Sequence, residues 1–201
     1  MKFNYWTEEN IRRFIQLALQ EDIGEGDHSS MACVPEQAQR KAQLLIKEDG
    51  ILAGVELALH IFKEVDPNLA VELFVKDGDQ VEKGAVGLIV SGSARSILSA
   101  ERLVLNCMQR MSGIATHTHQ LNQLIQHTKA KLLDTRKTTP NARLIDKWAV
   151  KIGGGTNHRF GLFDLIMLKD NHIAYAGSIT KAIINTKEYL ERTGKNLRIE
   201  I

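Results

Sequence analysis

The chain has few cysteines, few aromatics, little net charge and no long apolar run. Its two cysteines, Cys33 and Cys107, stand alone without metal-ligand spacing, which fits a reducing compartment. No apolar stretch is long enough to span a bilayer. The opening residues MKFNYWTEENIRRFI lack the continuous apolar segment of a secretion signal. A cytoplasmic protein with no membrane partner is expected. The net charge of +2 is too small to argue for nucleic acid. Neither G-x-x-x-x-G-K-[ST] nor a strand-linked G-x-G-x-x-G occurs, so the common glycine-rich nucleotide cradles are excluded. His117 and His119 lie two apart on a helical stretch and do not share a face, so they do not suggest zinc.

What is present is an ordinary globular composition. Apolar residues make up 43% of 201 residues, enough for a core of useful size although aromatics reach only 5%. The charge is unevenly spread. Between Asp134 and His172 the sequence DTRKTTPNARLIDKWAVKIGGGTNHRFGLFDLIMLKDNH sets Arg136, Lys137, Arg143, Lys147, Lys151, Arg159 and Lys169 against Asp134, Asp146, Asp164 and Asp170. Cations that converge repel one another unless an anion offsets them, which points to a small substrate carrying carboxylates or phosphates.

Periodicity predicts a helix after Thr7 with Ile11, Phe14, Ile15 and Ala18 on one face. It predicts a hairpin around Glu48-Asp49-Gly50, a helix over 56–65, and strands over 69–75 and 85–90 joined by the turn Asp77-Gly78-Asp79. From Ser96 two helices are expected, broken at Gly113. Beyond it the pattern alternates: a strand at 131–133, a helix over 142–152, a strand at 165–168, a helix from Ser178 to about Arg192 and a strand from Leu197. That alternation argues for parallel strands with crossover helices. Arg136-Lys137 and Lys169 fall just past the C-terminal ends of two of these strands, where function gathers in α/β barrels and open α/β sheets alike. The boundary between a mixed front and this βα back is placed near 113.

Three motifs carry the chemistry. In Thr135-Arg136-Lys137-Thr138, the guanidinium offers a planar fork to a carboxylate, the ammonium a point charge to a phosphate, and nearby hydroxyls and amides complete a cradle. The bland alternative is a solvated loop. Gly153-Gly154-Gly155 precedes His158-Arg159 and is expected to let backbone amides approach a ligand, where a single glycine would suffice as a helix cap. Lys169 could bind an anion or pair with Asp170. Asp77 to Gly84 has the look of a biotinyl or lipoyl carrier turn but lacks the modifiable lysine dipeptide, and is read as a plain turn. Spacing alone would leave Arg102, next to Glu101, on a solvated helix face.

The segments EDIGEGD (21–27), Glu101-Arg102 through Asn106, QRMSGIAT (109–116) and the whole block from 134 to 172 together resemble the quinolinate phosphoribosyltransferase family, over nearly all of this chain. The resemblance implies an α/β fold: an α+β sandwich-like N-terminal domain over 1–113, then a parallel βα barrel domain beginning at 114 and, over 114–201, apparently truncated. It implies phosphoribosyl transfer from phosphoribosyl diphosphate to quinolinate with decarboxylation, giving nicotinate mononucleotide, diphosphate and CO2 in NAD biosynthesis, with Mg2+ as cofactor. Lys137 and Lys169 are implied as catalytic. Arg102, Thr135, Arg136, Lys137, His158, Arg159 and Lys169 are implied as substrate-binding, with Arg102 contributed across a homodimer interface. The alternatives are a non-catalytic relative that keeps the anion pocket, or one acting on another heterocycle. Family members continue through the rest of the barrel, so residues beyond Ile201 are expected in a longer parent, with little activity in this chain alone.

Overall fold

The computed structural model describes residues 5–201; the first four residues of the N-terminal stretch read above lie outside them. The described chain forms two compact units, one running to Asn157 and the other His158–Ile201.

The first unit opens with α1 (Glu8–Ile23), where the Thr7 hydroxyl accepts from the Asn10 amide at 3.2 Å as an N-cap. Ile11 and Ile15 of its apolar face are buried, as their spacing requires. The short α2 (His28–Cys33) is capped by Asp27. The Ser30 hydroxyl and amide hold the Asp27 carboxyl below the usual carboxylate range. β1 (Gln39–Leu45) then pairs antiparallel with β5 (Val86–Ser93), which also pairs with β3 (Ala70–Leu73), giving the order β1-β5-β3.

The hairpin expected around Glu48-Asp49-Gly50 does not form. β2 (Gly50–Ile51) pairs instead with β4 (Gln80–Val81). The long helix α4 (Ala94–Ile125) claims the backbone of this segment through two hydroxyls: Thr116 accepts from the Ile51 amide at 2.9 Å and Ser112 from the Ala53 amide at 3.0 Å. A Cβ on Gly50 would come within 2.6 Å of the Thr116 hydroxyl, so glycine permits the approach. The Asp77 carboxylate takes the amides of Gly54, Val55 and Glu56, stabilising the N-terminus of α3 (Val55–Val65).

Gly113 does not break α4, which runs unbroken for 32 residues. An interior glycine costs only about 1 kcal/mol against alanine. Met108, Met111 and Ala115, buried on either side of Gly113, hold the helix in the core. Residue 113, near which the sequence places its boundary, lies within this helix. Leu144, Ile145, Trp148 and Ala149 of α5 (Arg143–Ile152) pack onto α4, and the Trp6 indole donates to the Leu144 carbonyl at 3.2 Å. The strand expected at 131–133 reduces to one parallel bridge between Leu133 and Thr156.

In the second unit β6 (Ile166–Met167) and β7 (Ile199–Glu200) pair in parallel, as the alternation predicts. Between them lie α6 (Asp170–Ala176), which periodicity does not anticipate, and α7 (Ile179–Thr193). The Ser178 hydroxyl caps α7 at Lys181, and Gly194 ends it with φ 62°. Phe160, Leu165 and Ala182 are the buried apolar residues of this unit. Among the described residues no helix is long and apolar enough to cross a membrane.

Candidate anion-binding site

In the first unit the candidate loop begins where the Asp134 amide donates to Thr156 O at 3.2 Å and the Thr156 amide to Leu132 O at 2.8 Å. The chain then turns: the Lys137 amide donates to the Thr135 hydroxyl at 3.0 Å, closing a local side-chain turn. Thr135 and Lys137 are exposed and Arg136 is half-buried. Arg136 Nε is a buried donor with no acceptor among the described residues. Such a group costs about 1–3 kcal/mol unless something supplies an oxygen.

Most of the other cations in this stretch are engaged. The Lys147 ammonium, 1% exposed, is paired with the Asp134 carboxylate, which also accepts from Asn157 Nδ2 at 2.7 Å. Arg110, from α4, holds Asp146 with a two-pronged contact at 2.7 and 2.9 Å and reaches the Thr139 hydroxyl at 2.7 Å. The hydrogen bond to Asp146 pushes the Arg110 pKa further up. Arg143 Nε donates to the Thr138 hydroxyl at 3.2 Å. The Lys151 ammonium lies 5.0 Å from the Trp6 ring centroid. Fewer of these cations are therefore open to a ligand than the sequence implies, while Arg110, which lies outside the stretch, takes up one of its four acids.

The glycine run is not an amide cradle. The amides of Gly153, Gly154 and Gly155 donate to Ala149 O, Lys151 O and Val150 O. A Cβ on Gly153 would lie 2.3 Å from the Ala115 carbonyl oxygen, and one on Gly155 would lie 2.7 Å from Val150 Cγ1. These glycines let the end of α5 lie against α4, which a residue-by-residue reading cannot see. Arg102 is exposed on α4 and forms no hydrogen bond or ion pair among the described residues. A shallow groove of about 200 Å³ lined by Leu44, Phe62, Leu88, Val90 and Val104 contains no cation and is distinct from this loop.

In the second unit His158 Nε2 lies 2.7 Å from Glu200 Oε2. A carboxylate only accepts, so this contact requires the proton on Nε2. Arg159 is buried, and its guanidinium donates to Leu165 O at 3.3 Å, just before β6. The Asp164 carboxylate takes the amides of Phe160 and Gly161. Lys169 is exposed at the end of β6 and forms no ion pair with Asp170; its amide donates to His172 Nδ1 at 3.0 Å. Sequence reasoning missed Glu200, Arg110 and Asn157 as partners. Only the strand position of Glu200 hinted at any of them.

Fold and loop together define a two-part α/β protein with a candidate anion-binding loop. Family models for the quinolinate phosphoribosyl transferase N-terminal domain and C-terminal domain match residues 27–112 and 114–201. Quinolinate phosphoribosyltransferase (decarboxylating) 1b of Nicotiana tabacum is 50% identical over 96% of this chain and 55% of its own length. A probable nicotinate-nucleotide pyrophosphorylase (carboxylating) of Bacillus subtilis strain 168 is 42% identical over 95% of this chain and 65% of its own length. The crystal structure of NadC from Streptococcus pyogenes superposes with a TM-score of 0.87 at 40% identity, covering 99% of this chain and 70% of that one. The chain belongs to the quinolinate phosphoribosyltransferase family and has its two-domain mixed α/β fold. It spans about half the length of the plant relatives it matches.

Proposed function

We propose that this protein transfers the phosphoribosyl group of phosphoribosyl diphosphate to quinolinate, with decarboxylation, as the names of its relatives indicate. The observation that carries the reading is the buried, acceptor-less Nε of Arg136, beside the exposed Lys137. A pyridine dicarboxylate supplies the missing oxygen, and the guanidinium fork suits a carboxylate better than a point charge does. Thr135, His158, Arg159 and Lys169 complete the binding set, and Lys137 and Lys169 offset charge on the reacting groups. His158 is kept in one tautomer by Glu200.

In the reaction the C1–O bond to diphosphate breaks, the pyridine nitrogen supplies the electron pair that forms the new C1–N bond, and the ring becomes cationic. The ring then accepts the electron pair released as the adjacent carboxylate leaves as CO2, and that carbon takes a proton from water. Fixed cations in place before the charge develops are the main contribution of such a site. Among the described residues no group of three or more His, Cys, Asp or Glu is arranged to hold a metal. Mg2+ commonly takes one or two carboxylates plus substrate phosphates. A Mg2+ ion carried in by the diphosphate would neutralise the leaving charge. A homodimer with the exposed Arg102 serving the partner's site, and a cytoplasmic location consistent with free Cys33 and Cys107, complete the proposal.

Steady-state turnover of quinolinate with phosphoribosyl diphosphate and Mg2+ tests the reading. Arg136→Ala is expected to lower kcat/KM by roughly 100-fold, the loss of about 3 kcal/mol that accompanies charge-assisted hydrogen bonds, with an unchanged fold. A near-normal kcat/KM overturns the role.

A further inference from the structure

The loop Thr135–Thr139 is tied to one helix at three points. Arg143, Asp146 and Lys147 of α5 stand at i, i+3 and i+4, so they share a helical face. Lys147 pairs with Asp134 at the start of the loop, and Asn157 bridges the same carboxylate to Lys147 O at 2.8 Å. Arg143 reaches the Thr138 hydroxyl. Asp146 accepts from the Thr139 amide at 3.3 Å, and Arg110 joins Asp146 to the Thr139 hydroxyl. Both ends of the segment bearing Arg136 and Lys137 are thus held by consecutive, buried, charged residues of α5, with Asp146 7% and Lys147 1% exposed.

Stability alone does not account for this. A buried ion pair is commonly no better than well-packed apolar residues of similar volume, because desolvation offsets the attraction. What two buried carboxylates with several donors each provide, and an apolar pair cannot, is a fixed direction. A displacement of about 1 Å at a reacting centre can cost about 100-fold in rate, so direction matters in this segment.

We propose that Arg110, Asp146 and Lys147 are positioning residues that clamp the Arg136-Lys137 segment at both ends and so set the geometry in which it meets a dianionic pyridine. This rests on the functional reading above and deepens it. The three charges touch no substrate. They hold the two residues that do.

The exposed Thr139 hydroxyl allows a test that spares the core. Thr139→Val removes the acceptor for Arg110 at constant shape, and Thr139→Ser restores it. The measurements are quinolinate affinity by titration calorimetry, the KM and kcat of turnover, the melting temperature, and hydrogen exchange of the 134–139 amides. Thr139→Val is expected to keep the melting temperature, speed exchange in the loop about tenfold and weaken quinolinate binding five- to tenfold, mostly in KM. Thr139→Ser should lie within twofold of the original on every measure. Unchanged exchange and affinity in Thr139→Val overturn the clamp, as does an equal loss in Thr139→Ser. At the other end, Lys147→Met tests the same idea; if it does not fold, the Thr139 pair decides. Should the unsubstituted protein bind no quinolinate, the functional reading fails by itself, and the exchange contrast still accepts or rejects the clamp.

Discussion

Two stretches of this chain read alike as sequence and differ in the structure. The loop at 135–138 and the glycine run at 153–155 both look like anion cradles. In the glycine run every amide is taken by a carbonyl of the preceding helix, and the missing Cβ atoms serve close packing. In the loop, by contrast, the ends are tied down while Arg136 Nε is left buried without an acceptor. A donor is available to a ligand only after the fold has used what it needs, and that accounting is non-local.

The contrast can be broken in order of expected effect. Lys147→Met leaves Asp134 buried without its ammonium, and loss of one partner of a buried pair costs about 3–5 kcal/mol. Its melting temperature should fall by many degrees in a thermal scan, and a fall of only a degree or two would mean that Asn157 alone satisfies the carboxylate. Gly153→Ala must push α5 off the Ala115 carbonyl, an overpacking strain of about 1–3 kcal/mol. The protein that remains folded should bind quinolinate normally, because the turn holds no ligand; a selective loss of affinity would return the glycines to the site. Gly113→Ala, with nothing within 4 Å of the new methyl, should instead stabilise α4 by up to about 1 kcal/mol, read as a higher urea midpoint. Two glycine substitutions in one packed helix pair would then act with opposite signs.

A smaller effect concerns Cys107, buried on α4, whose thiol is pushed up to about 11 by desolvation. Its folded value lies above its unfolded one. The neutral thiol therefore contributes fully below the ordinary thiol value of 9.0, and that contribution fades as pH rises toward 11. Iodoacetamide at pH 8 should label exposed Cys33 quickly and Cys107 only as the chain unfolds.

Much of the local structure was legible in sequence because its causes are local. Thr7 and Ser178 cap the helices they precede, and the Ile11 and Ile15 face is buried as its spacing demands. The parallel β6–β7 pair follows from strand, helix, strand order. The errors share a different origin. The hairpin at Asp49-Gly50 was lost to hydroxyls on a helix some 65 residues away, and Gly113 was carried through by a core that no window along the chain reveals. The loop stands out in the sequence because two cations follow a short stretch expected as a strand, Lys131 to Leu133. Arg110, whose partners lie 29 and 36 residues away, gave no sign of its part in holding it.

The central claim is that the Arg136-Lys137 segment recognises two carboxylates on one ring. Calorimetric titration of the protein with quinolinate and with nicotinate, which lacks the second carboxylate, tests it most directly. The account predicts clearly tighter binding of quinolinate and a difference that disappears in Arg136→Ala. Equal affinities in the original protein, or a preference that survives the loss of Arg136, would contradict it.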